Sequence, residues 1–156
     1  MSIQELKEKA LEGKRSYQYD LAKELFEAGN STGALYWLTL SAQQGYKYAQ
    51  HKLGCLYAGR QPGVKKNGSK AVKWHKVAVE HGITASYFEL ADIYAKGMSG
   101  VKPNYKQAFY WHVKSTESCH EEDRKKSHEW LEKEYKANPD KWAEMMLKVT
   151  EENKGK

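Results

Sequence analysis

Apolar residues recur along this chain at helical spacing. In residues 67–82, "NGSKAVKWHKVAVEHG", Ala71, Trp74 and Ala78 fall at i, i+3 and i+7, one stripe of a helix. Asn67 stands where an N-cap is wanted and Gly82 where a left-handed residue would end the helix. The preceding stretch "AQHKLGCLYAG" places Ala49, Leu53, Leu56 and Tyr57 on one face, with Gly54 among them. A glycine inside a helix costs about 1 kcal/mol relative to alanine, so its expected role is close contact with a neighbouring helix. There is no run of alternating β-branched residues, and the chain has only three prolines. The pattern predicts an all-α protein.

The stripes repeat. A shift of 37 residues superposes Ala34, Ala71 and Ala108, then Trp37, Trp74 and Trp111. Ser41, Ala78 and Ser115 supply a small residue in all three copies. Leu53 and Gly54 match Leu90 and Ala91, and Tyr57 matches Tyr94. In the loops Gly63, Val64 and Asn67 match Gly100, Val101 and Asn104. Each unit is read as helix A, a glycine-containing loop, helix B and a tight turn. The dipeptide Trp-His occurs twice, at Trp74-His75 and Trp111-His112. The register assigns the three tryptophans to the buried seam of helix B. The histidines are read as structural, because the first copy carries Leu38 there, and leucine cannot coordinate a metal.

"LGCLYAGRQPGVKKNGSKAVKWHKVAVEHG" and "LADIYAKGMSGVKPNYKQAFYWHVKS" resemble Sel1-like repeats, a branch of the tetratricopeptide-like superfamily. The matching elements are Leu-Gly/Ala, the tyrosine that follows, the Gly-Val loop and Ala-x-x-Trp in the second helix. Ala91 departs from the usual glycine, and Cys119 replaces the glycine that would close the third helix B. The resemblance implies a short right-handed α/α solenoid of antiparallel helix pairs. The expected organisation is one domain: an N-terminal capping helix over 1–16, a tetratricopeptide-like pair over 17–46, Sel1-like repeats over 47–83 and 84–119, and C-terminal capping helices over 120–156. Ile3, Leu6 and Ala10 are expected to seat the first cap. In the last, Trp130, Leu131 and Tyr135 precede a helix begun by Asn138 and Pro139, with Trp142, Met145, Met146 and Val149 on one stripe. Exposure of Trp142 and the methionines for a partner or for dimerisation is the alternative. Residues 150–156 are expected to fray.

Composition narrows the function without naming it. The chain has 156 residues, 26 basic and 20 acidic, for a formal charge of +6. That balance is compatible with an acidic partner, and such mixing is commoner on solvated surfaces than on nucleic-acid faces. No stretch approaches a membrane span, and the N-terminal residues lack the apolar core of a signal peptide. Cys55 and Cys119 form no CxxC pair, so a cytoplasmic protein with two free thiols is expected. A monomer is favoured, though no residue pattern fixes the oligomeric state. No metal spacing, cofactor fingerprint or nucleophile elbow is present, so an enzyme is not expected. Cys55 with His51 resembles a nucleophile–base pair only in outline.

The resemblance implies a protein or peptide interaction module whose helices A line a concave face. The positions pointing away from the helix A packing stripe are Tyr19, Lys23 and Phe26, then Tyr48, His51, Lys52 and Cys55, then Phe88, Glu89 and Asp92. Aromatic anchors in a polar surround suit a protein surface. A specific inhibitor or immunity partner of a toxin or enzyme is one form of this function. The alternative is nucleic-acid binding along the basic edge formed by Lys65, Lys66, Lys70, Lys73 and Lys76 with Lys102 and Lys106.

Overall fold

A computed structural model describes residues 1–155, which form two compact units divided between Ile83 and Thr84. The first contains α1 (Ile3–Leu11), α2 (Arg15–Glu27), α3 (Ser31–Gln43), α4 (Lys47–Tyr57) and α5 (Gly68–Glu80). The second contains α6 (Ala85–Lys96), α7 (Tyr105–Ser115), α8 (Glu121–Ala137) and α9 (Pro139–Lys154). The described residues contain no strand, only one isolated bridge between Met98 and Val101. The expected all-α repeat of helix pairs is therefore the fold: α2 packs with α3, α4 with α5, and α6 with α7.

Local sequence sets the helix ends. The side chains of Asn67, Asn104 and Asn138 accept from the backbone N–H groups of Lys70, Gln107 and Lys141 at 2.9, 3.0 and 3.0 Å. Ser2 and Glu5 form a reciprocal capping box at α1. Gly45 and Gly82 close α3 and α5 at φ +79° and +83°, where a side chain would be strained.

The buried seam of helix B is shifted one residue from the expected one. Leu38, His75 and His112 are almost wholly buried, whereas Trp37, Trp74 and Trp111 are half-buried. The stripe runs Ala34, Leu38, Ser41, then Ala71, His75, Ala78, then Ala108, His112, Ser115. Its spacing is i, i+4, i+7. The indoles stand on its flank, covering the edge of the pair rather than filling its middle. Two ends also differ from expectation. Ile3 is 42% exposed, so α1 is seated by Leu6 and Ala10 alone. α9 continues to Lys154 where fraying from 150 was expected, held by buried Val149 and an ion pair between Glu152 and Lys106. Of that stretch, Lys156 lies outside the described residues.

The histidine seam explains the helix A glycine. A Cβ placed on Gly54 would come within 2.6 Å of the His75 ring, which has no exposed surface and no room to retreat. In the second unit alanine is accepted at Ala91, because the His112 ring is drawn toward α8. There it stacks on Trp130 at 4.3 Å between centroids, and its Nδ1 lies 3.1 Å from Ser127 Oγ. The first repeat pairs Ala22 with Leu38 in one cluster.

A buried polar device accompanies the seam and has no counterpart in the sequence reading. Gln18 Nε2 donates to the Ala10 carbonyl at 3.2 Å, and Gln50 Nε2 donates to the Ala42 carbonyl at 3.1 Å. Each adds a donor to a carbonyl at the end of the preceding helix. The amide oxygens accept in turn from Gln44 Nε2 and His81 Nδ1, both at 2.7 Å.

The seam makes a testable statement about stability. Gly54→Ala should destabilise the protein by about 1–2 kcal/mol, because overpacking against the ring outweighs the gain in helix propensity. Adding His75→Leu, which recreates the Ala22–Leu38 pair, should recover most of the loss. Urea unfolding of the two variants checks this, and a double variant no more stable than the single would refute the explanation.

Candidate functional site

Packing on α2 and α4 decides which side chains are left to face outward. α2 buries Gln18, Leu21 and Ala22, and α4 buries Ala49, Gln50, Leu53, Gly54 and Leu56. The remaining faces carry Tyr19, Lys23 and Phe26 on α2, and Tyr48, His51, Lys52 and Cys55 on α4. Within this unit they come together. Tyr19 meets Tyr46 edge-on at 5.4 Å, and Tyr46 meets Tyr48 at 5.5 Å, an aromatic row that crosses from α2 to α4. The Nζ atoms of Lys23 and Lys47 stand 6.0 and 5.4 Å from the centroids of Tyr19 and Tyr48. Further along, Lys23, Phe26, Glu27, Lys52 and Gln61 line a cleft of about 190 Å³.

Several of these side chains are also structural. Tyr19 and Phe26 pack against the core cluster beneath them. Burial, with Tyr46 and Asp20 nearby, raises the Tyr19 phenol above its ordinary value. Tyr48, at 49% exposed, is the freest aromatic of the row. Sequence reasoning missed Tyr46, which joins the two helices. Its position just before α4 gave no helical periodicity to read.

The His51–Cys55 pair is present as a contact. Cys55 Sγ lies 3.5 Å from His51 Nε2, and the His51 ring meets that of His75 edge-on at 5.4 Å. Among the described residues no three or more His, Cys, Asp or Glu side chains are grouped to hold a metal ion.

In the second unit the positions on α6 are more heavily engaged. Phe88 contacts the His112 ring at 6.1 Å and lies under the Lys126 ammonium of α8 at 5.6 Å. Asp92 is held by Lys96 at 2.6 Å, and Glu89 is half-buried. The more open surface here lies elsewhere. Val113, Thr116, His128, Leu131, Glu132, Tyr135, Trp142 and Met146 line an apolar cleft of about 470 Å³. Met145 and Val149 are buried against Phe109, so α9 uses one part of its apolar arc to pack and leaves another part facing the cleft.

These features belong to a known architecture. The Sel1 repeat family matches residues 15–46, 47–83 and 84–118. This chain belongs to the Sel1 repeat family. Sel1 repeat proteins are generally non-enzymatic scaffolds for protein–protein interaction. A Sel1 repeat protein from Oxalobacter formigenes is similar in structure, with a TM-score of 0.67 and 28% identity over 81% of this chain and 97% of that one. A protective antigen of uropathogenic Escherichia coli strains, displaying an SLR fold, is similar at a TM-score of 0.66 and 28% identity. That match covers 84% of this chain and 32% of the antigen. No curated protein matches the chain in sequence. No helix of the described residues is long and apolar enough to cross a membrane.

The two Sel1 repeat histidines give the family fold a pH response. Burial pushes His75 down to about 3, helped by His51 and Arg60, and pushes His112 down to about 4. An unfolded chain protonates both near 6.5. Stability is therefore full above that value and falls as pH drops, by on the order of 1.4 kcal/mol per pH unit for each histidine. Urea midpoints at pH 7 and pH 5 should differ accordingly. The difference should shrink in Gly54→Ala/His75→Leu, and an unchanged difference would contradict the assignment.

Proposed function

We propose that this Sel1 repeat protein binds another protein through the face formed by α2 and α4. The observation that carries the reading is the Tyr19–Tyr46–Tyr48 row. It runs edge-to-edge across both helices, flanked by Lys23 and Lys47, with the Lys23–Phe26–Lys52 cleft on the same helices. Tyrosines offer large amphipathic area at low entropic cost, and lysine stems add apolar cover around them. The family's general role supports a protein partner. A regulatory role, as a specific inhibitor or immunity partner of a toxin or enzyme, is the finer form of the proposal.

Of the ten positions singled out, the seven in the first unit form the proposed surface. Phe88, Glu89 and Asp92 have a smaller part, because Phe88 is covered by Lys126 and Asp92 is paired. A Lys23→Ala/Tyr48→Ala/Lys52→Ala variant removes contacts of two exposed side chains and one half-buried one while leaving the core intact. It should keep its thermal midpoint within about 2 °C and recover the partner at least ten-fold less than wild type in quantitative co-purification. Equal recovery by this folded variant would sink the assignment.

A further inference from the structure

The positive charge of this protein is confined to one region. Residues 1–83 carry 13 basic and 7 acidic side chains, whereas residues 84–156 carry 13 of each. Within the first unit there is no Asp or Glu between Glu27 and Glu80, yet eight basic residues fall there. Five of them, Lys65, Lys66, Lys70, Lys73 and Lys76, occupy α5 and the loop leading into it, and all five are exposed. This is not the interspersed pattern the overall composition suggests.

The two units also treat their lysines differently. On α8 and α9, Lys126, Lys136 and Lys148 pair with Glu122, Glu132 and Glu144 one turn away. On α5 two lysines have aromatic neighbours. The Lys70 ammonium stands 5.1 Å from the Tyr57 centroid, and that of Lys73 stands 5.9 Å from the Trp74 centroid. The stem of Lys66 lies across Gly59, whose φ is +86°; a Cβ there would fall 2.3 Å from Lys66 Cε. Lys66, Lys70 and Lys73 are thus positioned by ring and backbone contacts rather than by carboxylates. The first turn of α5 contains no acidic residue, so the positive end of the helix dipole adds to the same field.

We infer that the loop before α5 and the exposed face of α5 form a second docking surface, for an acidic helical segment of a protein. Lys70 and Lys73 stand one helical turn apart on α5, roughly 5 Å, which matches carboxylates at i and i+3 or i+4 of a partner helix, and Lys66 adds charge from the loop before it. α5 has 13 residues, about 20 Å of helix, enough for three to four turns of such a segment. A nucleic-acid strand is a poorer fit. Tyr57 and Trp74 lie under lysine ammonium groups and pack against the core, so they present no bare ring on which a base could stack. This surface is separate from the aromatic row of α2 and α4 and does not rest on it.

The test compares three chains: wild type, Lys66→Glu/Lys70→Glu/Lys73→Glu, and a control, Lys125→Glu/Lys133→Glu/Lys154→Glu, that changes net charge equally on α8 and α9. Each is titrated at low salt with a 20-residue poly-glutamate peptide and with 20-base single-stranded and duplex DNA, with amide chemical shifts recorded for the peptide. Wild type should bind the peptide with shifts centred on residues 59–79. The α5 variant should bind at least ten-fold more weakly, and the control should stay within three-fold of wild type. Absence of peptide binding, equal weakening in the control, or shifts outside that region would overturn the proposal. Tighter binding of either DNA than of the peptide would also overturn it and assign the surface to nucleic acid. A loss of partner in the α2/α4 variant leaves this outcome untouched, so the two readings fail separately.

Discussion

Helix A can lie against helix B only where one of them gives up side-chain volume, and in this protein that exchange is made at one row of positions. Ala34, Ala71 and Ala108 keep helix B thin, while Ala22, Gly54 and Ala91 do the same for helix A. Between them sits the variable residue, Leu38, His75 or His112. Leucine and a ring drawn toward α8 both leave space for an alanine. His75 does not, and helix A answers with glycine. The rest of the repeat follows from this contact, because it sets how far apart the two backbones lie and so which neighbouring side chains are covered.

The same contact explains why two imidazoles can be buried without serving a chemical site. A neutral imidazole is roughly the size of leucine, and burial keeps it neutral by disfavouring the charged form. His112 gains more than packing: its ring ties α7 to α8 through Ser127 and Trp130. Gln18 and Gln50 perform a related task at the helix ends, each adding a side-chain donor to a carbonyl that already accepts a backbone N–H. These polar groups join one helix to the next, which makes the stack specific as well as compact.

Because each helix A buries one narrow stripe, the opposite face is free to vary, and the units use that freedom differently. In the first unit α2 and α4 present tyrosines with lysines beside them, and α5 sets Lys70 and Lys73 beside aromatic rings. In the second, α8 reaches over α6 and meets Phe88, while α8 and α9 neutralise their own lysines within single helices. A repeat of nearly constant interior thus carries two chemically distinct exteriors.

Much of this was legible in the sequence, because the 37-residue register and the asparagine caps are local or periodic signals. Helix type, repeat boundaries and the structural nature of His75 and His112 followed from periodicity and from Leu38 at the equivalent position. The division between Trp74 and His75 did not. Both lie within one helical step of the seam, and only the angle at which α4 meets α5 decides which is covered. Tyr46 likewise gained its place by bridging α2 and α4, a contact between residues 27 apart that no local pattern encodes. The acid-free stretch from Glu27 to Glu80 was written in the sequence throughout. What the tertiary structure added was the placing of Lys70 and Lys73, held over Tyr57 and Trp74. Sequence determines the periodic interior, because burial repeats with the helix; the surface depends on which helices meet, and only the folded chain decides that.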